Sequence, residues 1–260
     1  MSDAGVGFVE WKHDRFRVRA NAIAPESLLA TERLLSELQK VAALAHGRML
    51  DIGCGTKPYK LLFAPHVSRH IGCDVPTTMH DRREIDAGAS AVALPFANDS
   101  FDFVLCTEVL EHVSDPFTAY REIGRVLKSG GCAVVTTPFM YRIHEAPYDF
   151  FRYTPFSHRA MAEKAGLQVS EIRPRGGYLT VLLDYWTKGL GMIFGGVGRA
   201  VHQVTGRGRN LAQSGLVRFT MEVWQRLLFA ALKNESVKSQ TYTLGYVVVL
   251  GKQEIATTHS

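Results

Sequence analysis

Residues 49–59, MLDIGCGTKPY, constrain this chain more than any other segment. An apolar run ends in Asp51, and Gly53 and Gly55 follow at once. A second short apolar run, HIGCD, ends in another acid, Asp74. A strand that delivers the chain to a tight glycine turn, with an acid beyond a second strand, is how open α/β sheets hold a nucleoside. Glycine is required where the backbone turns sharply and approaches a ligand closely, because a Cβ would block both. The dinucleotide fingerprint G-x-G-x-x-G is left incomplete, since its third glycine position is Pro58. An acid two residues before the first glycine repels phosphate and suits an ammonium group. Asp74 is placed to accept hydrogen bonds from two ribose hydroxyls. A strand-turn-helix corner without a ligand is the plain alternative.

The rest of the sequence alternates strand and helix signals. Apolar spacing over 25–45, opened by Pro25 and Glu26, predicts an amphipathic helix. Strands are predicted near 48–52 and 69–73, with a short helix at 58–64 and a short strand near 83–86. Phe101 to Cys106 is an apolar run broken only by Asp102, as buried parallel strands look. Asp115-Pro116 opens a helix over 116–128, ended by Gly130-Gly131. A strand over 132–139, a helix over 155–165, a strand over 167–173 and a last strand over 242–252 complete the pattern. Such alternation implies a parallel sheet with right-handed crossovers.

The acid-x-G-x-G loop resembles the first motif of the class I S-adenosylmethionine-dependent methyltransferases. The resemblance covers about 48–173 and 241–252. It implies an α/β fold, a doubly wound seven-stranded Rossmann-like sheet, here with an N-terminal helix and a helical insertion before the last strand. The expected organisation is an N-terminal extension (1–46), a cofactor-binding core (47–173), an insertion (174–238), and a last strand with its tail (239–260). S-adenosylmethionine is the implied cofactor. Its expected contacts are Asp51, Gly53, Cys54, Gly55, Asp74 and Thr107, with Asp86 and Leu94 in the segment that the family lays along the adenine.

Two clusters carry the acceptor chemistry. In CTEVLEHVSDP, Glu108, Glu111 and His112 follow the fourth strand and are expected to begin a helix on one shared face. In one reading they are scaffold bordering the cofactor, with Glu108 and His112 assisting catalysis. In the other they bind a divalent metal such as Mg²⁺ together with His144, because E-x-x-E-H resembles plant small-RNA 2′-O-methyltransferases and some ubiquinone-pathway O-methyltransferases. The second cluster, PFMYRIHEAPYDFFRYT, follows the fifth strand, where the family places its acceptor. It resembles a signature of bacterial methyltransferases of glycan and natural-product pathways. His144 is the expected general base, since a neutral imidazole suits proton removal near pH 7. Tyr148, Asp149, Arg152 and Tyr153 are the expected acceptor contacts; an Asp149–Arg152 pair that only packs the loop is the alternative.

Cys54, Cys73, Cys106 and Cys132 form no C-x-x-C pair, which argues against a zinc site or a disulfide framework. MSDAGVGFVEWKHDRF lacks an apolar core, so no signal peptide is expected and a reduced cytoplasmic setting is. The net charge of +5 is uneven. Residues 174–238 hold nine Lys/Arg against three Asp/Glu, net +6, and the remainder 21 against 22, net −1. The insertion is apolar over 177–201 but broken by Asp184, Lys188 and five glycines between 189 and 198, a poor spanning helix. Over 211–232 Leu216, Phe219, Val223, Leu227 and Leu228 are expected on one side, with Arg218, Glu222, Gln225 and Arg226 on the other, and TGRGRN forms a basic turn before them. A helical subdomain that packs on the sheet, forms an oligomer face or caps the site is the expectation, with contact to the inner membrane surface as the other. Interleaved aliphatic residues argue against nucleic acid.

The expected activity is methyl transfer from S-adenosylmethionine to a hydroxyl of a sugar, glycolipid or small metabolite. The alternatives are N- or C-methylation of a lipid or quinone-like acceptor, and a non-catalytic cofactor-binding interaction module.

Overall fold

A computed structural model describes residues 8–12, 15–77, 81–205, 215–232, 235 and 241–253. Its strands are β1 (Val9–Lys12), β2 (Arg15–Val18), β3 (Arg48–Ile52), β4 (Arg69–Asp74), β5 (Ala87–Gly88), β6 (Phe101–Thr107), β7 (Leu127–Pro138), β8 (Gln168–Pro174) and β9 (Gly245–Gly251). Its helices are α1 (Leu28–Val41), α2 (Lys60–Phe63), α3 (Pro116–Val126), α4 (Pro155–Lys164), α5 (Tyr178–Thr205) and α6 (Gly215–Leu232). Seven strands form one sheet in the order β5-β4-β3-β6-β7-β9-β8. All pairings are parallel except those of β9, which runs antiparallel between β7 and β8.

Alternation along the central strands divides the core between two faces. Leu50 and Ile52 of β3 join Val104, Cys106, Val135 and Val248 beneath α3 and α4. Met49 joins Phe103, Leu105, Val134 and Val247 beneath α1 and α2. Both faces are covered, so the strands read as continuous apolar runs. Local chemistry sets the helix starts. The Asp115 carboxylate accepts the Thr118 amide at 3.0 Å, with Pro116 in the first turn of α3, and Thr154 and Ser157 form a reciprocal capping box on α4.

Several boundaries differ from expectation. The short strand is β5, not 83–86; Arg82–Glu84 forms a 3-10 turn because the Asp81 carboxylate caps the Arg83 amide. The helix over 25–45 is α1 flanked by 3-10 turns at Pro25–Ser27 and Ala42–Leu44. A two-stranded antiparallel hairpin, β1-β2, precedes it.

The insertion forms two helices that pack on α1 more than on the sheet. Arg33 donates to the Thr180 hydroxyl at 2.9 Å and to the Leu232 carbonyl at 2.5 Å. Gln225 accepts the Leu29 amide at 2.6 Å. Glu235 accepts the amides of Gly177 and Leu179 at the start of α5, a favourable place for a carboxylate. The expected polar and apolar sides of 211–232 are therefore partly exchanged: Gln225 is buried, while Phe219, Val223 and Leu227 are exposed. Tertiary hydrogen bonding to α1 overrides the apolar pattern. The side chains of Leu216 and Arg218, and residues 206–210 of the basic turn, lie outside the described residues.

Candidate active site

The strand order reverses direction between β3 and β6, and crevices at such a switch point are where open α/β sheets bind ligands. The loop after β3 enters this crevice. Gly53 and Gly55 have φ of +64° and +48°, values that disfavour a side chain. A Cβ on Gly53 would lie 2.3 Å from Cγ2 of Val109, which comes from the loop after β6. The loop is therefore a close-fitting cradle of backbone. Asp74, the last residue of β4, accepts the Gly55 amide at 2.9 Å and the Val75 amide at 2.7 Å, so its carboxylate is fixed at the strand end. These features fit a ribose-bearing ligand with no phosphate.

Asp51 is not a free acid at the crevice. It is 2% exposed and meets Nε2 of His70 at 2.9 Å. Burial raises its pKa, and the His70 hydrogen bond opposes that rise. Cys54 is buried, and burial likewise pushes its thiol up. Asp86, expected along the adenine, is held by Lys57 at 2.6 Å and by the Gly72 amide at 2.7 Å. Lys57 is buried, with φ of +48°, and its chain crosses Gly72, where a Cβ would come within 2.4 Å of it. Leu94 has both backbone groups engaged by α3: its amide by Glu122 at 2.7 Å and its carbonyl by Arg125 at 2.9 Å. Asp86 and Leu94 thus brace the crevice wall. Thr107 ends β6 opposite Thr136 of β7.

The shared helix face of Glu108, Glu111 and His112 does not form. Glu108 has φ of +52°, which no helix accommodates, and only a 3-10 turn, Leu110–His112, precedes α3. The three side chains diverge. Glu108 accepts from the Thr136 hydroxyl at 2.9 Å and from Arg175 at 3.1 Å. Arg175 is buried and also donates to the Thr137 carbonyl at 3.1 Å. Glu111 is wholly buried, and neither of its oxygens has a hydrogen-bond partner. Burial, helped by the Glu108 charge, raises its pKa well above the usual carboxylate range. His112 meets the Tyr148 carbonyl through Nδ1 at 2.7 Å, which assigns the proton to that nitrogen.

His144 stands edge-on to His112, with ring centroids 4.8 Å apart. Its amide donates to Asp149 at 2.9 Å, and its Nδ1 lies 3.3 Å from the same carboxylate, close enough for attraction but without hydrogen-bond alignment. Arg152 grips Asp149 with two nitrogens, at 2.5 and 2.7 Å, and holds its pKa well below the usual range. The expected Asp149–Arg152 pair exists, and it supports His144 as well as the loop. Tyr148 is exposed. Tyr153, also expected at the acceptor, has a buried ring, and its hydroxyl donates to the Leu110 carbonyl at 2.7 Å. Of the expected metal set, Glu111, His112 and His144 offer ligand atoms within 4.8 Å of one another, whereas Glu108 turns to Arg175.

Residues not anticipated from the sequence complete the surroundings. The Lys188 ammonium of α5 lies 4.0 Å from the centre of the Tyr141 ring, so the insertion adjoins the acceptor loop. Lys188 pairs with Asp184 in the buried face of the same helix. Their i, i+4 spacing is visible in the sequence, and Pro174 before and two glycines after Arg175 mark a forced turn.

Residues 50–135 match the family described as a methyltransferase domain. The uncharacterized methyltransferase YcgJ of Bacillus subtilis strain 168 is 33% identical over 146 residues, 52% of this chain and 55% of that one. A demethylmenaquinone methyltransferase of Bacillus velezensis is 31% identical over 134 residues, 45% of this chain and 58% of that one. The chain spans about half the length of the curated relatives it matches. Among solved structures, the cyclase SpnF aligns with a TM-score of 0.53 at 17% identity, over 85% of this chain and 82% of that one. A putative sarcosine dimethylglycine methyltransferase from Galdieria sulphuraria aligns with a TM-score of 0.52 at 16% identity, over 96% and 93%. These structures show the fold, and a cyclase among them illustrates that the fold hosts more than one reaction. Residues 50–135 are thus similar to a methyltransferase domain, and the sheet around them has the fold of these solved structures.

Proposed function

We propose that this protein methylates a hydroxyl group of a sugar, glycolipid or small metabolite, with His144 as general base. The observation that carries this reading is the chain Arg152–Asp149–His144 beside the crevice. Arg152 keeps Asp149 ionised, and Asp149 faces Nδ1 of His144, which leaves Nε2 to take the proton of the acceptor. An imidazole oriented by a carboxylate is the arrangement that general-base catalysis needs. Asp51, Gly53, Cys54, Gly55, Asp74 and Thr107 would hold S-adenosylmethionine, which supplies an electrophilic methyl group on a sulfonium. Tyr148 and the exposed rim of the loop would contact the acceptor, and Glu108 with Arg175 would fix the floor between the two halves. Alignment and deprotonation are most of what the protein must supply to an in-line displacement.

Tritiated-methyl transfer into fractionated cell extract tests the class of acceptor. Label in polar glycan or metabolite fractions supports the reading. Label in a quinone fraction would favour C-methylation, the alternative to which the demethylmenaquinone methyltransferase relative points. His144→Ala should lower turnover by about 10²–10⁴-fold with affinity for S-adenosylhomocysteine retained. Near-normal turnover removes His144 as base.

A second reading rests on the orphaned carboxylate of Glu111. With His112 and His144 it offers two nitrogens and one oxygen, a donor set that suits Mn²⁺ or Zn²⁺ better than Mg²⁺. A bound cation would polarise the acceptor hydroxyl. Full activity in excess chelator sinks it.

A further inference from the structure

The insertion is built inside out. On α5 the inward face carries Thr180, Asp184, Thr187 and Lys188, all buried, whereas Leu182, Tyr185, Trp186, Met192 and Ile193 face outward, 46–68% exposed. Each set recurs at three- and four-residue spacing, so each is a continuous helix face. On the second helix, α6, Gln225 is buried with Leu228 and Leu232, while Phe219, Val223, Trp224 and Leu227 are exposed. Inward polar groups anchor the hairpin through Thr180 to Arg33 and Gln225 to Leu29, beside the buried Val181, Leu228 and Leu232, while Lys188 pairs with Asp184 within α5. A helix that packs on a protein through polar groups and turns aromatic and aliphatic groups to solvent marks an interaction surface.

Three observations select the occupant. From Gly196 to Arg218, where α5 gives way to α6, the sequence holds Arg199, Arg207, Arg209 and Arg218 and no acid. The outward side chains include Tyr185, Trp186 and Trp224, rings suited to a boundary between hydrocarbon and water. Among the described residues no helix is long and apolar enough to cross a membrane, so contact would be parallel to the surface. We propose that the α5–α6 hairpin docks on the surface of an anionic lipid bilayer. Because Lys188 covers Tyr141, the docked hairpin adjoins the acceptor loop, which carries the exposed Ile143 and Tyr148. If the methyl-transfer reading above holds, the acceptor is then a hydroxyl carried by a lipid.

The test is cosedimentation of the full chain with phosphatidylcholine vesicles made with and without phosphatidylglycerol, at low and high salt. Binding should require phosphatidylglycerol, weaken with salt, and fall by about tenfold or more in the double variant Trp186→Glu, Leu227→Glu. Unchanged affinity for S-adenosylhomocysteine would show that this variant is folded. Equal sedimentation with and without phosphatidylglycerol overturns the proposal. So does a dimer in sedimentation velocity that the double variant dissociates, with no vesicle binding, which would give the face to a second copy. Methyl transfer does not enter this readout, so failure to bind vesicles leaves the catalytic reading untouched.

Discussion

The two halves of the active-site region are made of different material. The crevice after β3 is lined by main chain and by side chains buried at strand ends: Gly53, Gly55, Asp51, Lys57 and Asp74. The loop after β7 is irregular, and Ile143 at 77% and Tyr148 at 66% exposure stand in solvent. Its order comes from ionised groups, with Arg152 and Asp149 at its centre. A sheet fixes strand ends to within a fraction of an ångström, so the step shared by a family belongs there. A loop held by side chains can be rebuilt without disturbing the sheet, so the choice of acceptor belongs to it.

Gly53 offers the sharpest way to break the donor side. In Gly53→Ala the new Cβ meets Val109 at 2.3 Å in a backbone with φ of +64°. Titration calorimetry with S-adenosylhomocysteine should show affinity reduced by about 100-fold or more, from the clash together with about 1–2 kcal/mol of left-handed strain. Adding Val109→Ala removes the two γ carbons and should restore part of the loss, while the strain remains. Full affinity in the single variant would mean that the cradle is looser than its geometry indicates.

Beneath the acceptor side lies a buried histidine whose effect is on stability. His158 is wholly buried between the Tyr120 hydroxyl at 2.6 Å and the Thr137 hydroxyl at 3.0 Å. Burial lowers its pKa from 6.5 to about 3. The folded protein therefore refuses a proton that the unfolded chain accepts. Its contribution is present above pH 6.5 and is lost as pH falls toward 3. Urea unfolding should report a loss of about 2 kcal/mol between pH 6.5 and 5 from this group. His158→Gln, which can still bond both hydroxyls, should flatten that slope. An unchanged slope would place the acid sensitivity elsewhere.

How much of this was legible in sequence follows from the same contrast. The glycine turn, the acids at the strand ends and the apolar runs are local signals with one structural meaning, and the sheet and its cofactor loop could be read from them. The wiring of side chains over long separations could not. Glu108 meets Arg175, Gln225 meets Leu29 and Lys57 meets Asp86 only because the fold brings distant segments together. The E-x-x-E-H spelling suggested a helix face, but the positive φ at Glu108, supported by Thr136 and Arg175, has no local sequence signature. The insertion misled for a related reason. Its apolar stripe was visible, but the polar partners on α1 that draw the opposite face inward were not.

Tyr153 gives the smallest and most discriminating test of where the acceptor side ends. It belongs to the tyrosine-rich cluster after β7, yet its hydroxyl reaches the buried Leu110 carbonyl, just before Glu111 and His112. Tyr153→Phe removes one buried hydrogen bond and leaves that carbonyl unsatisfied, at a cost of about 1–2 kcal/mol. Thermal unfolding should register this as a lower Tm. If Tyr153 only supports the turn that carries His112, the KM for acceptor should stay within about twofold, a shift below 1 kcal/mol. Tyr148→Phe, at an exposed position directly after the cis peptide between Ala146 and Pro147, should show the reverse pattern: unchanged Tm and a raised KM. A raised KM in Tyr153→Phe with no change in Tm would move the acceptor surface inward, to the wall that now reads as core.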